Sequence, residues 1–250
     1  MIVSKTNNFI FVHIPKNAGT TIETLLLKHL NPESDMHFSP RAQIPDNRAL
    51  FGIPPETTID KHVTTPRLRA AMRKADFDSY FSFSFSRNPY SRCYSCYKFL
   101  IAAANRDIAI KERGKVLPPH LEKHRISRAK VLDMSFDDIC ADLPTSAMSY
   151  GLMRTQTTWL PQPNSVNFVG SLENLSQDLH HIYRTVGLPL ESLATIPREN
   201  VKTTTGGWRG MSAASAQAIR KFYAEDFERF GYSTDFDADD KPAAKAPTPN

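Results

Sequence analysis

The stretch from residue 8 to residue 30 constrains this chain more than any other. Asn8-Phe-Ile-Phe-Val-His-Ile14 is apolar, aromatic and β-branched, as a buried parallel strand should be. Pro15 to Gly19 breaks it. Over 20–30, Ile22, Leu25, Leu26 and Leu30 recur at helical spacing. The turn between reads His13-Ile-Pro-Lys-Asn-Ala-Gly-Thr-Thr21. A helix N-terminus offers unpaired N–H groups and a partial positive charge, so this turn suits a phosphate-like anion. Gly19 lets the backbone approach the ligand, Thr20 and Thr21 add hydroxyls, and Lys16 adds a mobile cation. Alone, such a turn reads equally as a capped helix beside a solvated lysine.

The same grammar recurs. Tyr80-Phe-Ser-Phe-Ser-Phe-Ser86 alternates aromatic and small polar residues, the pattern of a core strand. A turn at 87–90 and a helix over 91–105 follow. A third strand is expected over 166–170 and a helix over 172–186, with further helices over 65–74, 136–143 and 212–230. Residues 31–60, rich in Pro, Asn and Asp, read as a long irregular excursion, and 106–130 as a basic surface segment. The expectation is an α/β, P-loop-like three-layer fold with a central, mostly parallel sheet flanked by helices. One domain is expected over 1–233. A disordered tail is expected over 234–250, where Asp, Ala, Lys and Pro leave little to bury.

The net charge of +5 suits a polyanionic ligand without naming it. Three cysteines, Cys93, Cys96 and Cys140, argue against a disulfide framework and for a reducing compartment. Cys93 and Cys96 spell Cys-x-x-Cys but read as buried structural thiols. No signal-like or spanning apolar run is seen. The chain is expected to be cytoplasmic, with peripheral membrane association left open.

The turn differs from the Walker spelling, in which a lysine follows a second glycine. It resembles the 5′-phosphosulfate loop of the sulfotransferases. The closest likeness is to the carbohydrate-type family 2, whose loop reads His-x-Pro-Lys-x-Ala-Gly-Thr-Ser/Thr. That family uses the donor PAPS (3′-phosphoadenosine 5′-phosphosulfate), leaving PAP. The resemblance implies that Lys16, Asn17, Ala18, Gly19, Thr20 and Thr21 hold the 5′-phosphosulfate. In the family an Arg, and a Ser eight residues later, hold the 3′-phosphate. Phe85-Ser-Arg87-Asn-Pro-Tyr-Ser-Arg-Cys-Tyr-Ser95 supplies Arg87 and Ser95. A guanidinium fork with a hydroxyl beside it is sound phosphate chemistry. Val169-Gly-Ser-Leu-Glu-Asn-Leu-Ser-Gln-Asp-Leu179 and Tyr223–Tyr232 are similar to packing and capping segments of the family. Lys202-Thr-Thr-Thr-Gly-Gly-Trp-Arg209 is faintly similar to a lid of the cytosolic sulfotransferases. Lys202 and Arg209 are therefore candidate donor contacts, read equally as a solvated basic loop.

Transfer to a hydroxyl asks for a base, and histidine suits neutral pH. Among eight histidines, His62 lies between the two loops, where related carbohydrate enzymes place their base. Lys16 is the candidate stabiliser of the leaving phosphate. His13 reads as a brace of the loop, and Glu23 as a lesser candidate base. His120 and His124, four apart, lack a third metal ligand, so no metal is expected. Arg154, Gln156 and Trp159 fall where family members place cleft residues and suit a saccharide or glycoconjugate acceptor; Trp159 reads equally as core. No nucleic-acid partner is expected. Two other functions remain open: a P-loop-type nucleotide-dependent phosphotransferase, disfavoured because no acidic magnesium ligand ends a strand, and a non-catalytic nucleotide- or glycan-binding module.

Overall fold

The computed structural model describes residues 1–40, 42, 44–117, 122, 129–194, 207–238 and 242. The strands in chain order are β1 (Ile2–Ser4), β2 (Phe9–Phe11), β3 (Met36–His37), β4 (Phe81–Ser86) and β5 (Phe168–Ser171). Interspersed are α1 (Gly19–Leu27), α2 (Thr65–Ala71), α3 (Lys74–Asp78), α4 (Pro89–Glu112), α5 (Phe136–Ala141), α6 (Leu143–Ser149), α7 (Leu175–Thr185), α8 (Ala213–Phe222) and α9 (Ala224–Phe230). The architecture is α/β and P-loop-like, a mostly parallel sheet flanked by helices. The chain divides into two compact units. One takes Met1–Arg87 and the described residues from 156 to 194. The other takes Asn88–Thr155 and residues 207–238.

The first unit holds the sheet, in the order β3-β1-β2-β4-β5. β2, β4 and β5 run parallel; β1 is antiparallel to both of its neighbours. The Phe/Ser alternation of β4 gives the strand two different faces. Phe83 and Phe85 join Phe9 and Phe11 of β2 in an apolar face covered by α1 and α7. Ile22, Leu25 and Leu26 of α1 and Leu175, Leu179, Ile182 and Tyr183 of α7 are buried against it. Each such side chain contributes about 1.5–3 kcal/mol of burial. Two of the serines hydrogen-bond across to neighbouring segments. Ser84 Oγ donates to Val12 O at 2.8 Å and Ser86 Oγ to Gly170 O at 3.1 Å. At the end of β5, Ser171 Oγ accepts from Asn174 N and Asp178 accepts from Ser171 N, so this segment caps its own helix.

Two strands escape the sequence pattern. Ile2-Val-Ser4 is wholly buried as β1, although the polar run after it reads as loop. Ser4 is accommodated because its hydroxyl donates to Asp35 at 3.1 Å. β3 is two residues long and lies inside the segment expected to be irregular.

The second unit is helical. α4 is longer than expected, because Asn88 caps it, Pro89 fits its first turn, and it continues into the basic segment. Arg92 is buried and donates to the carbonyls of Leu152 and Arg154. The helix expected over 212–230 is broken at Tyr223 into α8 and α9. Cys93, Cys96 and Cys140 are free and buried. Residues 234–238 of the segment expected to be a disordered tail are described. Thr234 O accepts from Tyr90 Oη at 2.7 Å, and the Phe236 ring meets Tyr90 and Trp208 edge-on. Residues 239–241 and 243–250 of that tail lie outside the described residues, as do 118–121 and 123–128 of the basic segment, with His120 and His124.

Candidate functional site

The turn between β2 and α1 is backbone under strain. Lys16 and Ala18 both have left-handed φ, at 70° and 59°. A non-glycine residue so placed costs on the order of 1–3 kcal/mol, and such strain clusters at functional sites. Ala18 is the N-cap of α1 and offers no side-chain cap, so the first N–H groups of the helix take no bond from it. Lys16 is half-buried, Thr20 exposed and Thr21 buried. Gly19 has a sharper reason to be glycine than ligand approach. A Cβ there would stand 1.9 Å from Nε2 of His13.

Two polar clusters hold this turn. The first is charged. Glu23, one turn into α1, is buried. Its Oε1 accepts from His13 Nδ1 at 2.9 Å and from the Met1 amino nitrogen at 2.8 Å; its Oε2 is 2.7 Å from Lys61 Nζ. His37 Nε2 stands 3.8 Å off, beyond hydrogen-bonding reach. Burial works to raise the Glu23 pKa, but the His13 hydrogen bond and the nearby positive groups hold it far below the usual range. Glu23, the lesser candidate base, is thus held as an anion by its partners. Burial pushes His13 down to about 3, so its imidazole is neutral and donates from Nδ1.

His62 borders this cluster. Its Nδ1 lies 3.0 Å from the His13 carbonyl oxygen, and the two rings meet edge to face at 4.6 Å. A carbonyl only accepts, so Nδ1 carries the proton and Nε2 carries the lone pair. Burial lowers the His62 pKa, which favours the neutral form. Its backbone is fixed from two sides. His62 N donates to Asp60 at 2.7 Å, and Trp159 Nε1 donates to His62 O at 2.8 Å.

The second cluster is neutral. Gln156 Oε1 accepts from Asn17 Nδ2 at 2.6 Å and from Arg87 N at 2.9 Å, while its Nε2 donates to Arg87 O at 2.9 Å. Asn17 Nδ2 also donates to Phe85 O at 2.6 Å. The Arg87 guanidinium donates to Lys16 O at 3.2 Å. One fully buried amide therefore ties the turn after β2 to the turn after β4. Two of the residues named as candidate acceptor contacts lie here. Gln156 is 0% exposed with both ends of its amide engaged, and Trp159 is buried beneath His62. Neither presents its polar group to an acceptor.

Ser95, Arg154 and Arg209 belong to the helical unit. Ser95 lies half-buried in the second turn of α4, and Arg154 is exposed. Arg209 donates to the carbonyls of Phe236 and Ala238 and stacks at 4.6 Å over Trp208, a C-terminal anchorage that its reading as a donor contact did not anticipate. Lys202 lies outside the described residues. Among the described residues no cluster of three His, Cys, Asp or Glu is placed to hold a metal, and no helix is long and apolar enough to cross a membrane.

A strained strand-to-helix turn, a helix end without a side-chain cap and a neutral imidazole beside them thus stand together in this α/β protein. The chain belongs to the sulfotransferase family: the family model, of sulfotransferase family 2, matches residues 1–233 of 250. It is accordingly a transferase of sulfur-containing groups, with a hydroxyl-bearing acceptor. Comparison with curated proteins and with solved structures gave no match.

Proposed function

We propose that this protein transfers the sulfuryl group of PAPS to a carbohydrate hydroxyl, with residues 1–233 as its catalytic domain. What carries the reading is His62, whose Nδ1 is committed to the His13 carbonyl beside the turn, leaving Nε2 to accept a proton. The residues present fit the donor. The turn joins an uncapped helix end to Lys16 and two threonine hydroxyls, and Arg87 follows the next parallel strand. When bound, PAPS supplies a sulfuryl group whose bond to the 5′-phosphate oxygen breaks as the acceptor oxygen bonds to sulfur.

The chain's own residues do the rest. The helix end with Gly19, Thr20 and Thr21 binds the phosphosulfate. Lys16 neutralises charge on the departing phosphate oxygen. Arg87 and Ser95 bind the 3′-phosphate. His62 Nε2 takes the hydroxyl proton. Asn17 and Gln156 keep the two turns in register, and Trp159 keeps His62 in place. Arg154 is the proposed acceptor contact that stays exposed, and the saccharide itself is proposed on the family resemblance. Three buried free thiols suit a cytoplasmic, reducing setting.

Thermal stabilisation by nucleotides tests the donor. PAP should raise the Tm more than ATP does, and Arg87→Ala should remove most of the PAP effect. A clear preference for ATP would point to a phosphotransferase instead. PAP binding without transfer from radiolabelled PAPS to any of a broad panel of saccharides would point to a binding module.

A further inference from the structure

Glu23 takes no part in the proton and sulfuryl transfers proposed above. It is a buried anion whose two oxygens grip two separate segments. Oε1 holds the ring of His13, the residue whose carbonyl receives the His62 Nδ1–H. Oε2 holds the ammonium of Lys61, the residue joined to His62 through the peptide bond. The imidazole is thus framed by the two residues that this one carboxylate binds. An imidazole left to turn over would offer Nδ1 where Nε2 should be, or lose its bond to the carbonyl. The Lys61 charge, left uncompensated, would also bear on the protonation of the ring.

We infer that Glu23 is a positioning residue for the base, holding His62 in the Nδ1–H tautomer through His13 and Lys61. The inference rests on the reading of His62 as the base. The charged and titratable groups around His62 are His13, Lys61, Asp60 and the Met1 amino group. Glu23 is bonded to all of these but Asp60.

The test uses the full chain labelled with 15N-histidine and saturated with PAP. The His62 signals are assigned by their loss in His62→Ala. In the wild type they should report a neutral ring protonated at Nδ1. Glu23→Gln should give a mixture of tautomers, and kcat should fall about 10- to 100-fold, as expected for a displaced catalytic group, with KM for PAPS little changed. Its acid limb should move to lower pH, since Lys61 then disfavours the imidazolium unopposed. Lys61→Met should also lower kcat, but should move the acid limb to higher pH. A merely structural role for Glu23 would leave the tautomer of Glu23→Gln as in the wild type and its acid limb unmoved. A wild-type tautomer and an unshifted limb in Glu23→Gln would overturn the inference even if kcat fell. If that variant fails to fold, the tautomer reading on Lys61→Met decides: a mixture supports the inference and a wild-type tautomer overturns it. Unimpaired turnover by His62→Ala would instead remove the base assignment, while the tautomer readout, which needs no acceptor, still reports on Glu23.

Discussion

The charged cluster at Glu23 and the neutral cluster at Gln156 brace the same turn by opposite means. Around Glu23 an anion meets imidazole and ammonium groups, and its strength follows protonation. Around Gln156 the amides of Asn17 and Gln156 bond to each other and to the backbone of Phe85 and Arg87, and none of these bonds titrates. The charged side leads to His62, and the neutral side leads to Arg87 and the second turn. The pairing of bracing with function is thus divided. Placement of His62, the proposed base, is open to tuning by charge, whereas the amide bonds that space the two turns do not titrate.

The largest effect that sharpens this contrast is expected at His62. His62→Ala should cut kcat by about 10²- to 10⁴-fold, the usual worth of a general base, and leave PAP affinity nearly intact by calorimetry. A large loss of PAP binding would move His62 to the donor side and blur the division. Next comes Gln156→Ala. It takes one partner each from Asn17 Nδ2, the Arg87 N–H and the Arg87 carbonyl. Each lost bond costs about 0.5–1.5 kcal/mol, measurable by urea unfolding, and PAP should bind more weakly because the two turns come apart.

The smallest effect is the dependence of stability on pH. The His13 pKa is about 3 in the folded protein, below its ordinary 6.5. Between those values the unfolded chain binds a proton that the folded chain does not. This contribution is therefore complete above pH 6.5 and drains away as the pH falls toward 3. Glu23, also held low, adds to the loss below its ordinary 4.5. Unfolding free energies measured from pH 7 to 4 should fall in wild type. In Gln156→Ala they should fall in parallel, offset by a constant amount. Converging curves would show that the two clusters are coupled.

Local pattern carried much of this into view from the sequence. β2, β4 and β5 were legible because each has apolar or alternating residues over its own length. α1 was legible because Ile22, Leu25 and Leu26 share one face. β1 was not, since three buried residues precede a polar run and are defined only by pairing with β2 and β3. The site divides the same way. The turn, Arg87 and His62 stood out as residue types in suitable contexts. Glu23 and Gln156 were read in other roles, as a lesser base and a cleft residue, because the partners that define them lie far off in sequence. Lys61 is drawn to Glu23 across the excursion over 31–60, and Gln156 reaches back to Asn17. Nothing in a linear pattern marks a glutamine that will end 0% exposed between two turns.

The close approach of His13 to Gly19 has a consequence for how variants of such proteins are interpreted. A mutational scan would score Gly19 as intolerant, and the motif would invite blame on the anion. Any larger residue there strikes the imidazole first. That collision displaces the residue whose carbonyl receives the His62 proton. Inactivity at this glycine would then be a defect in proton handling recorded under the name of nucleotide recognition.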